Sequence, residues 1–467
     1  MIFESHYLAC LSQASYFVAD EASKVAVVVD PRRDVDVYLD AAKALGVTIR
    51  HVVLTHFHAD FVSGHLELAA ATGAVVHVGA RGRTDYPSVA AHDGDGLLLG
   101  PNARLSFLET PGHTPESICV LVFDRLAGDD APHAVLTGDT LFLGDVGRPD
   151  LMASVGHSES ELAGWLYDSL HAKLLTLPDA TVVHPGHGAG SLCGKALSTE
   201  RSSPLGVQRR TNYALAPMSK AEFVRLVTAD QPAAPAYFGY DADLNRRVRP
   251  TLDPSIATSI RTLTLDETLA LAGEGAVLLD VRSAAEFGGG HLAGSVNVGL
   301  DGRFAQWAGS VVDPRTRVVV VAAPGRAEEA ALRLGRVGFD RVVGRLDDLA
   351  GALRARPDLC RRLPKASAVD LVRHEAAGTV PVVIDVRAAS EWTAGHVEGS
   401  VNLPLPGLLA RLADVPRDRD VLVHCQSGYR SSLAASLLVR EGFTNVTDLV
   451  GGWAAYEAAR APSFPEL

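Results

Sequence analysis

The chain has 467 residues, 47% hydrophobic and 21% charged, and a formal net charge of -12. Its length predicts about three domains of ordinary size, and its composition is that of globular protein able to bury several cores. The acidic balance excludes the basic surface that nucleic acid requires and disfavours an anionic membrane as partner.

The first residues, MIFESHYLACLSQ, carry no Lys or Arg and only a very short apolar run, unlike a signal peptide. No apolar segment approaches the roughly 18 residues needed to span a bilayer. Cys10, Cys119, Cys193, Cys360 and Cys425 are an odd set without framework spacing. A reducing cytoplasm suits them, because a thiol there serves as a reagent more often than as a crosslink.

From Lys24 to Leu54 the pattern predicts strand, helix, strand: the apolar run Val25 to Val29, a helix over Val35 to Leu45, and a strand over Ile49 to Leu54. Further strands are expected near Val75 to Val78, Leu105 to Leu108, Ile118 to Phe123, Ala134 to Leu136 and Thr181 to Val183. With a helix from about Glu159 to Leu175, the first 190 or so residues read as a layered α/β domain. Lys220 to Val227 is expected to be helical, with Ser219 and Glu222 forming a capping box. Arg246, Arg247 and Arg249 are expected to form a solvated linker face.

Three stretches of the N-terminal part carry chemistry. VVLTHFHADFVSGH places His56, His58 and Asp60 at alternate positions after a buried strand, so an extended segment points all three the same way. ETPGHTPES brings His113 and LTGDTLFLGD brings Asp139, each after an apolar run and each just behind a glycine. The set reads as a metal site. Arg148 and Asp150 in GRPD are expected to pair and shape the pocket floor, with Arg148 available to substrate. Cys119 is expected in the core, and Cys193 lies on a loop near the pocket.

The C-terminal part repeats itself. Leu278 to Leu300 matches Val383 to Leu405, with Asp280, Arg282, Glu286, Gly290, His291, Gly294, Ser295 and Asn297 recurring 105 residues later. In the second copy a strand runs into HCQSGYRSSL. The loop from Cys425 through Gly428 to Arg430 opens a helix, so its backbone N–H groups form an anion-binding nest. Cys425 is expected to be a nucleophilic thiolate there, with Arg430 holding an anionic oxygen. In the first copy Ala322, or Val321 in a shifted register, stands at the nucleophile position, and Glu328 and Glu329 would repel an anion. That copy is expected to be catalytically silent.

DVR, the GHxxGS stretch and the Cys-to-Arg loop resemble rhodanese sulfurtransferases, in which Cys425 would carry a persulfide. The T-H-x-H-x-D motif with downstream GHTP and GD resembles the metallo-β-lactamase superfamily. Its dinuclear hydrolases, such as glyoxalase II, have His directly after the motif Asp, where this chain has Phe61. Together with NYALAPMSK, the motifs are similar to the persulfide dioxygenase branch in its fusions to rhodanese domains.

The resemblance implies an αββα metallo-β-lactamase sandwich over residues 1–245, a linker over 246–262, a silent rhodanese-like domain over 263–357 and an active rhodanese domain over 366–467. It implies one Fe(2+) per chain at His56, His113 and Asp139. His58, Asp60 and His187 then orient ligands or serve as alternative metal ligands. It implies dioxygen-dependent oxidation of a low-molecular-weight thiol persulfide, such as glutathione persulfide, to sulfite and thiol. Sulfur transfer involving thiosulfate would occur at Cys425, in a cytoplasmic homo-oligomer. A thioester hydrolase of glyoxalase II type with a fused sulfurtransferase is the alternative, and a sulfur carrier without oxygen chemistry a further one.

Overall fold

The structure is a computed structural model and describes residues 1–151, 156–195, 197–229, 231, 234–259 and 261–461. Residue 260 of the expected linker and residues 462–467 of the expected last domain lie outside the described residues. The chain divides into two compact units: Met1–Leu252 with Gly335–Gly338, and Asp253–Leu334 with Phe339–Leu467.

The first unit holds two six-stranded sheets. One has the order β1 (Ile2–Leu8), β2 (Gln13–Asp20), β3 (Val25–Val29), β4 (Thr48–Leu54), β5 (Val75–Gly79), β6 (Val89–Ala91). The other is made of β7 (Gly96–Leu98), β8 (Ala103–Glu109), β9 (Ile118–Asp124), β10 (Ala134–Gly138), β11 (Val182–Pro185) and β12 (Ser203–Pro204), numbered here from one edge to the other. Both are mixed: β1 to β3 pair antiparallel and β3 to β6 parallel, while β10 and β11 are a parallel pair in an otherwise antiparallel sheet.

Strand side chains alternate between two cores, which is the period-two consequence of the pleat. Tyr16, Val18, Val27, Val29, Val53, Ile118, Val120, Val122 and Leu136 pack between the sheets. Phe17, Ala19, Val28 and Val52 turn outward onto Tyr38 and Ala42 of the helix Asp36–Leu45 and Leu68 of the helix His65–Thr72. Cys119, Leu121 and Val135 turn the other way, onto Leu166 and Leu170 of the helix Glu159–Ala172 and Phe223 of the helix Lys220–Thr228. Strands buried on both faces read as continuous apolar runs, and the result is the four-layer αββα arrangement.

The second unit contains the two repeats. The first has a parallel sheet of β15 (Val296–Asn297), β13 (Val277–Asp280), β16 (Val318–Val321) and β17 (Val342–Leu346), with β14 (His291–Leu292) and β18 (Cys360–Arg361) as a separate antiparallel pair. The second has a parallel sheet ordered β19 (Lys365–Ala366), β23 (Val446–Leu449), β22 (Val421–His424), β20 (Val382–Asp385), β21 (Val401–Asn402).

The residues that recur between the repeats build the frame. Asn297 Nδ2 donates to the carbonyls of Asp280 and Arg282, and Asn402 Nδ2 to those of Asp385 and Arg387. His291 stacks on Phe287 and His396 on Trp392, each pair at 3.8 Å between ring centroids. Both Asp–Arg pairs close on themselves and on a glycine carbonyl, Gly290 or Gly395.

Two expectations are corrected. Ser219 caps its helix by accepting from Glu222 N, but Glu222 points to water and does not complete a capping box. Arg249 is no solvated linker residue: it is buried with both guanidinium nitrogens on Glu67, because a carboxylate inside the fold needs a cation beside it. Arg246 is half-buried and Arg247 exposed, and both pair with Asp243.

Candidate metal centre and thiol loop

Four loops, each leaving the C-terminal end of a strand, meet in the first unit. β4 leads to His56, β8 to His113, β10 to Asp139 and β11 to His187. One donor atom from each of His56, His113 and Asp139 lies within 4.8 Å of the others, and all three residues are buried. Asp139 Oδ2 is 3.5 Å from His113 Nε2 and 3.8 Å from His56 Nε2, and it is buried without a hydrogen bond among the described residues.

The ring orientations follow from what the other nitrogens touch. His113 Nδ1 is 2.8 Å from the Arg148 carbonyl, which can only accept, so Nδ1 carries the proton and Nε2 presents a lone pair. Thr55 gives its hydroxyl hydrogen to Asp30 Oδ2 at 2.7 Å, so it accepts from His56 Nδ1 at 3.0 Å and leaves His56 Nε2 open. His187 Nδ1 donates to Asp139 Oδ1 at 2.9 Å.

Charge is distributed to suit a cation. Burial alone would raise the Asp139 carboxyl, but His187, His56 and His113 hold it well below the usual carboxylate range. Burial, with His58 beside it, lowers His56 well below an ordinary histidine, which keeps its nitrogen unprotonated. Burial would lower His187 as well, yet Asp139 and Asp60 on either side raise it well above.

His58 packs beside His56 at 4.0 Å between ring centroids, yet it is not one of the three grouped donors. Its Nε2 lies 3.1 Å from Asp30 Oδ1, and its ring packs on Phe61 at 4.3 Å. Asp60 joins His187 and Cys193 in a second buried group whose donor atoms also lie within 4.8 Å of one another. Cys193 thus comes to the pocket, its thiol pushed up by burial and by Asp60 and Asp139. Cys119 is in the core, pushed up to about 11 by burial. Arg148 and Asp150 form the expected pair at 2.6 and 2.7 Å, and Arg148 Nη1 donates to the Leu192 carbonyl, so the guanidinium braces two loops.

Several supports escaped the sequence reading. Asn245 holds the motif loop from across the unit, donating to the carbonyls of His58 and Phe61 and accepting from Ser63 N, all at 2.8 Å. Glu116 accepts from Phe57 N at 3.0 Å. Asp30 offered a signal, since it directly follows an apolar strand as His113 and Asp139 nearly do. Close backbone packing explains one glycine: at Gly138 (φ +48°) a Cβ would sit 2.5 Å from Thr55 Oγ1.

In the second repeat, β22 delivers buried Cys425 to the loop that opens the helix Tyr429–Arg440. Gly428, at φ +102°, turns its N–H to Cys425 Sγ at 3.1 Å. The carbonyl of Cys425 accepts from Trp453 N at 2.7 Å, which anchors the loop from behind. Arg430 does not reach into the loop: it forks onto Glu391 at 2.6 and 2.7 Å. In the first repeat Val321 pairs with Asp280 as His424 pairs with Asp385, so Ala322 occupies the place of Cys425 and the shifted register does not arise.

The metallo-beta-lactamase superfamily profile matches residues 8–187, and the rhodanese-like domain profile matches residues 264–348 and 367–459. A hydroxyacylglutathione hydrolase of Rhodospirillum rubrum is 30% identical over 247 residues, covering 52% of this chain and 86% of that protein. A second, from Polaromonas, is 33% identical over 37% of this chain, which spans 61% of its length. The human mitochondrial persulfide dioxygenase ETHE1 is 28% identical over 193 residues, 40% of this chain and 68% of that protein. A Staphylococcus aureus metallo-beta-lactamase structure aligns with TM-score 0.66 and 31% identity, covering 74% of this chain and 98% of that one. The chain belongs to the metallo-beta-lactamase superfamily and carries two C-terminal rhodanese-like domains.

Proposed function

We propose that the chain oxidises a low-molecular-weight thiol persulfide with dioxygen, releasing sulfite and the thiol, and transfers sulfane sulfur at Cys425. The observation that carries the first half is the buried set of two imidazoles and one carboxylate, with buried Phe61 packed on the adjoining His58 at 4.3 Å. Two histidines and a carboxylate leave open positions on a metal and suit non-haem Fe(II). Iron, when bound by His56, His113 and Asp139, supplies the redox centre at which dioxygen meets the terminal sulfur. Persulfide, dioxygen and water balance against thiol and hydrogen sulfite plus one proton.

The protein's own groups prepare that site. Thr55 and the Arg148 carbonyl fix the two ligand rings, and His187 holds Asp139 ionised and aimed. Phe61 and Phe142, both buried, set apolar rings at 6.4 and 6.2 Å from that of His187. At Cys425 the thiolate attacks the sulfane sulfur of thiosulfate, the S–S bond breaks, sulfite leaves, and Cys425 keeps the sulfur as a persulfide. An anion entering there competes with Glu391 for Arg430.

A hydrolase reading has its own support in the hydroxyacylglutathione hydrolase relatives and in Asp60 and His187, which lie 2.9 Å apart beside the first cluster. Turnover of a glutathione thioester by the zinc-loaded protein, without oxygen uptake by the iron-loaded one, would select it. The dioxygenase reading expects the reverse on the same two samples.

A further inference from the structure

The two repeats of the second unit differ at the loop after their central strand, and the difference leaves a cavity in the first. With Ala322 in the place of Cys425, Ala323 occupies that of Gln426 and Ala327 that of Arg430; Gly325 and Gly428, at φ +80° and +102°, stay in step.

In the second repeat, Arg387 uses Nε and Nη2 on Asp385 and the Gly395 carbonyl and turns Nη1 to Gln426 Oε1 at 3.3 Å. Arg282 makes the equivalent bonds to Asp280 and Gly290. Alanine at 323 has no amide to offer, and among the described residues Arg282 Nη1 has no partner. The second exchange releases an acid. Glu391 is clamped by Arg430, whereas its counterpart Glu286 keeps only its capping bonds to Ser283, all through Oε2. Its Oε1 has no hydrogen bond among the described residues.

Both released groups line one cavity of about 310 Å³, with Ser283, Ala323 and Arg326. The last wall is Tyr429 from the second repeat, whose hydroxyl donates to the Gly299 carbonyl at 2.6 Å. Tyr429 is the chain neighbour of both Gly428 and Arg430.

We propose that this cavity binds a small zwitterion of the amino-acid or short-peptide class, and that occupancy is transmitted to the Cys425 loop through Tyr429. A carboxylate meets Arg282 Nη1 and an ammonium meets Glu286 Oε1. Arg326 contributes less, since Glu329 at 3.1 Å and Asp301 at 3.5 Å already hold it. Those acids also disfavour an inorganic dianion, because the other guanidinium, Arg282, is itself paired with Asp280 and offers only Nη1. The volume is at the low end of ordinary ligand pockets and suits a molecule of this size.

The test uses the full chain and S-methylglutathione, a zwitterionic peptide whose blocked sulfur neither accepts nor donates sulfane sulfur. Ala323→Gln gives Arg282 the partner that Arg387 has, at an exposed position that need not disturb folding. Calorimetry is expected to show one-site binding to the wild type and roughly tenfold or more weaker binding to Ala323→Gln, the loss of one charge-assisted hydrogen bond. Unfolding midpoints of the two proteins should coincide. Bound peptide is expected to change the iodoacetamide alkylation rate of Cys425, read by mass spectrometry, by about twofold or more in the wild type only.

Absence of binding, or equal affinity in both proteins, overturns the site. An alkylation rate indifferent to bound peptide overturns the coupling through Tyr429. Neither measurement needs dioxygenase or sulfur-transfer activity, so failure of the catalytic reading leaves this result interpretable.

Discussion

At the scale of single residues, the candidate metal centre depends on atoms that have no other work in the fold. Asp139 Oδ2 is buried without a hydrogen bond among the described residues, which is costly unless a cation completes it. Asp139→Asn removes the charge and keeps the shape, so the variant is expected to lose iron, measured by metal analysis, and persulfide-dependent oxygen uptake with it. Retention of iron at wild-type content would contradict the assignment. Asn245 makes a different prediction. Truncation to alanine strands two carbonyls and one amide of the motif loop, so Asn245→Ala should cost at least about 2 kcal/mol in denaturant unfolding. Metal affinity should fall roughly tenfold or more as well, because the loop that aims His56 loses its anchor.

At the scale of elements, strands that face two cores carry their own titration. His184 on β11 packs against Phe3 and Tyr16 and is pushed down to about 4 by burial, with His133 adding to it. His77 on β5 is likewise pushed down to about 4 by burial and by His51. A histidine whose folded pKa lies below its unfolded value of 6.5 favours the folded state fully above pH 6.5. That contribution is lost as the unfolded chain takes up the proton, between pH 6.5 and about 4. His184→Phe is therefore expected to flatten the fall of the unfolding midpoint across that window, and an unchanged slope would contradict it. The same elements explain what the sequence made legible. β3, β9, the Ala134 to Leu136 run of β10 and the Val52 to Leu54 end of β4 are apolar on both faces and readable as runs. β2 is buried too, but through polar partners: Gln13 Nε2 donates to the Asp30 carbonyl and Ser15 pairs with the Tyr38 hydroxyl, which leaves no pattern to read. His56, His113 and Asp139 were legible because each follows a strand in a recognisable motif. Asn245 and Arg249 were not, since their partners lie about 180 residues away in sequence.

At the scale of the whole molecule, one chain carries a buried candidate metal centre and a loop opening on a buried thiol, in separate compact units. The repeat that precedes the thiol loop has the same frame with Ala322 in the place of Cys425, so the sulfur transfer proposed for the second unit rests on Cys425. Cys425→Ser is expected to abolish sulfur transfer from thiosulfate and to leave persulfide-dependent oxygen uptake within about twofold of wild type. Loss of both activities would mean that the two sites are obligately coupled. No helix among the described residues is long and apolar enough to cross a membrane. The most direct measurement is oxygen uptake by anaerobically iron-loaded protein given glutathione persulfide, with metal content and sulfite determined on the same sample. Uptake equal to sulfite formed, at close to one iron per chain, is the expected result. No uptake from a sample that holds its iron, together with hydrolysis of a glutathione thioester by the zinc form, would contradict the dioxygenase and establish the hydrolase in its place.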